Sequence, residues 1–152
     1  MGVMAYAPLA SGFLTGKYTR TAEGPTGPGR LDPVKALPRI PGNRDQDWDV
    51  LETLQRVAGE LGRPASQVAV NWVAQRPGVA ATLVGARTVT QLENNIAALE
   101  FSLSPEQQAD LDAAGQLDLP QPYSLFAGEL HRQAISGGLT VRAEPEWFRT
   151  QR

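Results

Sequence analysis

Residues 2–7, GVMAYA, are apolar apart from one tyrosine hydroxyl and do not alternate. A near-continuous apolar run suits a parallel strand covered on both faces, and it predicts a buried strand over residues 3–7. The turn-rich stretch PLASGFLTGKY follows. Residues 19–46 then carry Pro25, Pro28, Pro33, Pro38 and Pro41 among Gly24, Gly27, Gly29 and Gly42, with no apolar period. That composition predicts one long loop, of the kind that in a compact domain is usually functional or mobile. From Val50, the positions Val50, Leu51, Leu54, Val57, Ala58 and Leu61 recur at helical spacing. Asp47 or Asp49 suits the N-cap of this helix and Gly62 its end. Pro64 opens a second helix, with Val68, Ala69, Trp72 and Val73 on one face and Pro77-Gly78 as terminator. Residues 79–84, VAATLV, predict a second buried strand.

Two capping signals follow. In Thr88-Val89-Thr90-Gln91 the Thr88 hydroxyl and the Gln91 amide are expected to satisfy backbone N–H groups reciprocally, opening a helix through Leu92, Ile96 and Leu99. Ser104-Pro105-Glu106-Gln107 opens another, whose thin apolar face is Ala109, Leu111 and Ala114. Residues 116–152 form a tail with scattered aromatics (Tyr123, Phe126, Trp147, Phe148) and no period.

Strand, helices, strand, helices is the order of an α/β fold with a parallel sheet and helical crossovers. Two parallel strands alone leave bare edges, so further strands are expected from elsewhere. The length of 152 residues suits one domain, and 41% hydrophobic with 20% charged residues suits a globular chain. Net charge −2 and the lack of a basic run argue against nucleic acid. The chain has no cysteine, which excludes disulfides and thiolate metal sites and makes a cytoplasmic setting the default expectation. No apolar run reaches the roughly 20 residues that span a bilayer. No metal-ligand cluster is expected, and His131, the single histidine, lies in the tail.

Two segments suit an anion. The turn from Ala7 to Gly16 is rich in small residues that admit a ligand close to backbone N–H groups, with Ser11, Thr15 and Lys17 as added donors. It equally suits an ordinary strand–loop connection with a solvated lysine. Gly85-Ala86-Arg87-Thr88 meets a helix N-terminus, whose free N–H groups and dipole favour phosphate. It equally suits a capped helix with a solvated arginine. Ligands of α/β folds gather at the C-terminal ends of parallel strands, where both segments fall.

At these residues the chain resembles the aldo-keto reductase family. AYAPLASGFLTGKY, residues 5–18, is similar to the segment at that family's seventh barrel strand. Residues 62–99 are similar to its seventh helix, eighth strand and eighth helix, and residues 103–114 to the helix that follows. The resemblance implies the C-terminal portion of a (β/α)8 TIM barrel, incomplete in this chain, that binds NADP (NADPH) to reduce a small carbonyl substrate. It implies that Tyr6 stacks on the nicotinamide. Ala7, in the place of a serine common in the family, and Pro8 lead into Leu9, Ser11, Thr15 and Lys17, which match the pyrophosphate-binding stretch. Arg30 falls near a phosphate-binding arginine of some members. Gly85 precedes Arg87, the counterpart of the 2′-phosphate ligand. Gln91 and Asn95 match residues at the adenosine end, and Asn94 replaces the glutamate usual before that asparagine. The family's catalytic Asp, Tyr, Lys and His have no counterpart here, so no catalytic residue is assigned. Residues 2–7 then correspond to strand seven of eight, and Met1 to an internal position of a longer ancestor. The alternative is a non-catalytic nucleotide-binding or regulatory module that assembles as an oligomer or with a complementing chain over its open strand edges. A helical interaction domain without ligand is a third reading.

Overall fold

In the computed structural model, residues 2–31 and 40–117 are described, and every element below lies within Met1–Gln116. The expectations for His131, Tyr123, Phe126, Trp147 and the tail beyond residue 117 lie outside the described residues. The order is β1 (Val3–Tyr6), a 3₁₀ segment (Ala10–Thr15), β2 (Thr19–Thr21), β3 (Gly24–Thr26), α1 (Asp45–Leu61), α2 (Ala65–Ala74), β4 (Val79–Leu83), α3 (Val89–Ala97) and α4 (Pro105–Ala114).

β1 and β4 pair in parallel, with Ala5 opposite Thr82 and Tyr6 opposite Leu83. The architecture is α/β, and the described strands close no barrel. α2 packs against β4, and Ala5 and Thr82 are half-buried. The other face is bare: Met4 is 63% and Tyr6 81% exposed. The expectation of a strand covered on both faces is therefore corrected. The apolar run is present, but helices cover one face only.

Of the long loop expected over 19–46, residues 19–26 are instead an antiparallel hairpin, with Thr19 opposite Thr26 and Thr21 opposite Gly24, and residues 32–39 lie outside the described residues. Thr21 makes the turn: its Oγ1 donates to Gly24 O at 2.7 Å and accepts from Glu23 N at 3.3 Å. Pro25 sits in a two-stranded ribbon, where a missing donor is tolerated. Gly42 has φ +93°, and a Cβ there would lie 2.7 Å from Phe13 Cε2. This close approach lets Trp48 Nε1 donate to Gly42 O at 2.8 Å while its ring meets Phe13 edge-on at 4.9 Å.

α1 begins two residues before Asp47. Asp47 sits inside the first turn, and its carboxylate accepts from Gly42 N, Arg44 N and the Arg44 guanidinium. Gly62 ends the helix at φ +60°, as the left-handed cap requires. The box at Ser104 forms in full: Ser104 Oγ accepts from Gln107 N and Gln107 Oε1 from Ser104 N. The Ser104 hydroxyl and the Glu106 backbone N–H hold the Glu106 carboxyl below its usual range. The box at Thr88 forms by half. Thr88 Oγ1 accepts from Gln91 N, but the Gln91 side chain reaches past Thr88 to accept from Arg87 N at 2.8 Å.

The core lies among the helices. Leu54, Val57 and Ala58 of α1 meet Val68 and Ala69 of α2, Leu103, and Leu111 of α4. Arg56 of α1 bonds Asp110 of α4 and Glu60, which raise its pKa; Arg76 pairs with Asp112 over the Trp72 ring, and burial lowers its pKa. α2 is buried at five consecutive positions, Gln67 to Asn71. Asn71, 0% exposed, splits its Nδ2 between Ala98 O and Phe101 O, each at 2.7 Å, and so ties α2 to the connection between α3 and α4. Gln75 Nε2 also donates to Phe101 O.

Replacing Asn71 by Ala leaves Ala98 O unsatisfied, whereas Phe101 O keeps Gln75. Asn71→Ala is expected to destabilise the chain by about 1–3 kcal/mol in urea unfolding, and Gln75→Ala by less. Equal effects would contradict this division.

Candidate functional site

Parallel pairing puts the C-terminal ends of β1 and β4 side by side, and the turns that leave them face one another across a cleft of about 870 Å³. The wall from β1 is built from Tyr6 to Leu9, Ser11, Gly12, Thr15 and Lys17. The wall from β4 is built from Leu83 to Arg87, with Gln91, Asn94 and Asn95 of α3. Tyr6, Ala7, Pro8, Leu9, Ser11, Thr15, Lys17, Gly85, Arg87, Gln91, Asn94 and Asn95, singled out in the sequence, all line this one cleft.

The first wall is a strained coil. Ala7, Ala10 and Ser11 have φ of +54°, +46° and +58°, values rare for residues with a Cβ. Local bonds hold the coil, among them Ala10 N to Ala7 O at 2.9 Å, Gly12 N to Leu9 O at 2.8 Å and Thr15 Oγ1 to Gly12 O at 2.8 Å. Phe13 and Leu14, packed into the core below, anchor it. Strain held in place by packing is found at ligand-binding turns. Lys17 lies over Gly12 and Gly29. A Cβ at either would come within 3.3 Å and 2.9 Å of Lys17 Nζ, so the two glycines make room for the ammonium.

The second wall is held by Gln91. Its bond to Arg87 N ties the turn to α3, and Arg87 lines the cleft. Among the described residues, the cationic side chains Lys17, Arg30 and Arg87 line the cleft and no carboxylate does. The whole chain has net charge −2, so positive charge is concentrated here. Charges of one sign lining a cleft raise the local concentration of an anionic ligand. Tyr6 also lines the cleft and is 81% exposed. This lining suits an anionic ligand.

Sequence reasoning missed Ser66 and Gly29, which also line the cleft, named Gly12 only as part of the Ala7–Gly16 turn, and placed Arg30 only loosely. Ser66 lies in the first turn of α2, and only the packing of α2 under the sheet brings it here. Gly12 and Gly29 carried a signal, being glycines flanking a lysine in a turn-rich run. Among the described residues, no group of three or more His, Cys, Asp or Glu is placed to hold a metal, and no helix is long and apolar enough to cross a membrane.

Comparison with known proteins bears on this cleft. The model of the Aldo/keto reductase family matches residues 1–116. An uncharacterized oxidoreductase of Mycobacterium tuberculosis is 34% identical over 134 residues, 88% of this chain and 40% of that protein. Norsolorinic acid reductase B of Dothistroma septosporum is 27% identical over 130 residues, 86% of this chain and 31% of its own. A probable voltage-gated potassium channel subunit beta of Arabidopsis thaliana is 35% identical over 103 residues, 66% of this chain and 30% of its own. The chain spans about 40% of the length of the first of these relatives.

The strain at Ala7 is testable. Ala7→Val is expected to lower stability by about 1–3 kcal/mol, because a β-branched residue at positive φ is strained, while Ala7→Gly should be neutral or mildly stabilising. Urea unfolding reads both, and a stabilising Ala7→Val would contradict the assigned conformation.

Proposed function

The chain belongs to the aldo/keto reductase family, and from that membership we propose that it forms the cofactor-gripping C-terminal part of an NADP-dependent carbonyl reductase. The observation that carries this reading is the cleft: among the described residues, Lys17, Arg30 and Arg87 line it without a carboxylate, at the C-terminal ends of two parallel strands. Those residues fit a phosphorylated dinucleotide. Tyr6 would carry the nicotinamide ring, Leu9, Ser11, Thr15 and Lys17 the pyrophosphate, Arg87 a 2′-phosphate, and Gln91, Asn94 and Asn95 the adenosine end. When bound, the dinucleotide supplies a hydride for an aldehyde or ketone carbon.

This chain's own part is grip and orientation. Strong charge-assisted bonds fix the phosphates, and the Tyr6 face sets one ring plane. No residue lining the cleft is assigned the proton donation that carbonyl reduction requires. That role is expected of the remaining strands of a complete barrel. The bare sheet face at Met4 and Tyr6 supports this reading. So does the apolar stripe of α3, where Val89 is 72% and Ile96 57% exposed. A cytoplasmic setting goes with the reading.

A second reading is a regulatory or assembly module that binds the same nucleotide without catalysis. It is favoured by one relative that carries the name of a potassium channel subunit beta. Its exposed apolar surface and strand edges would then be covered by an oligomer or a complementing chain.

The chain is expected to bind NADPH, detected by fluorescence titration, and to bind NADH more weakly. Arg87→Ala should weaken NADPH by about 10–100-fold, the value of one or two charge-assisted bonds, and NADH by no more than about threefold. Equal losses would remove the 2′-phosphate assignment. The chain alone should show no steady NADPH oxidation with a reactive aldehyde. Turnover abolished by Tyr6→Ala would overturn the division of labour.

A further inference from the structure

Asn94 lines the cleft and offers two different groups, an acceptor and a donor, one of which is engaged by a neighbouring helix. Gln67 of α2, 5% exposed, donates from Nε2 to Asn94 Oδ1 at 3.0 Å. The orientation of an amide is set by its network, and this network starts from a group with one possible polarity. Gln67 Oε1 accepts from Arg63 Nη1 at 3.4 Å. A guanidinium donates and never accepts, so it holds the Gln67 oxygen toward itself and turns the Gln67 NH₂ toward Asn94. Arg63 is in turn placed by Glu100 at 3.6 Å and by the Phe101 ring at 5.1 Å. The Asn94 oxygen is thus engaged inside the protein, and its Nδ2 takes no partner among the described residues.

We propose that the relay Arg63–Gln67–Asn94 makes Asn94 a hydrogen-bond donor to the cleft, selecting a ligand edge that carries an acceptor there. Suitable acceptors are a ring nitrogen or carbonyl oxygen of a heteroaromatic base. On the proposed dinucleotide reading, which this deepens, Asn94 meets an acceptor atom of the base rather than its exocyclic amine. Gln67 acts through Asn94 and is a positioning residue.

Gln67→Glu tests the relay. The carboxylate so introduced accepts only, so Asn94 must donate to it and present Oδ1 to the cleft. Asn94→Asp reaches the same polarity while keeping the bond from Gln67. In ¹⁵N spectra of the free chain, the Asn94 side-chain NH₂ is expected to exchange rapidly with water, and to be slowed several-fold in Gln67→Glu. NADPH binding is expected to weaken about tenfold in both variants, the value of one net hydrogen bond. Pyrophosphate, titrated as a probe without a base, should bind Gln67→Glu as it binds the parent. Slow exchange of the Asn94 NH₂ in the parent overturns the proposal. So does undiminished NADPH binding in both variants, and so does equal weakening of NADPH and pyrophosphate in Gln67→Glu, which marks a merely structural effect. Should the parent bind no NADPH while the exchange contrast holds, the dinucleotide reading falls and the donor polarity stands.

Discussion

The constraint on which the site depends is the parallel pairing of β1 with β4. Parallel strands end on the same side, so the chain segments that leave them are forced together although 76 positions separate Ala7 from Leu83 in sequence. An antiparallel pair would have sent the two turns to opposite ends. Parallel neighbours also require a long crossover, and α1 and α2 provide it. The register places Tyr6 beside Leu83 at the last rung, where both line the cleft.

Pairing alone does not hold the walls at a fixed distance. α2 does that, because it touches α1, α3, β4 and the 3₁₀ segment together. A helix buried around its circumference is usually apolar. This one carries Gln67 and Asn71, with Gln75 at its C-cap, at four-residue spacing, which puts three amides on one stripe. They meet Asn94, the carbonyls of Ala98 and Phe101, and so the whole span around the end of α3. α3 needs such tethers, since its apolar side is exposed and contributes none of the buried core. Polar bonds of fixed direction locate α3 where apolar packing does not.

Much of this was legible in the sequence because the signals were local. Proline at the first position and Ser104 with Gln107 mark α4, and Gly62 marks the end of α1. The β4 run was legible from its β-branched and small apolar residues. What the sequence did not reveal depends on neighbours. An apolar run at Val3–Tyr6 reads the same whether one face or two are covered. The hairpin at Thr19–Thr26 was obscured by proline and glycine, which read as loop, although a threonine turn and two short strands fit around them. The Thr88 box failed by one residue because the Gln91 side chain found Arg87 N, a choice set by the turn after β4. At the site, residues next to the strand ends were legible, because ligands of α/β folds collect there. Ser66 and the orienting role of Gln67 were not, since both come from a helix whose placement only tertiary packing determines.

The account rests on two sequence-distant turns forming one anion-binding cleft. Titrating the chain with NADPH while following backbone amide resonances tests this most directly. The account predicts that residues 7–17 and 85–95 shift together, along one binding curve, with the far ends of α1 and α4 unaffected. Shifts confined to one turn, or two turns following different affinities, would contradict it.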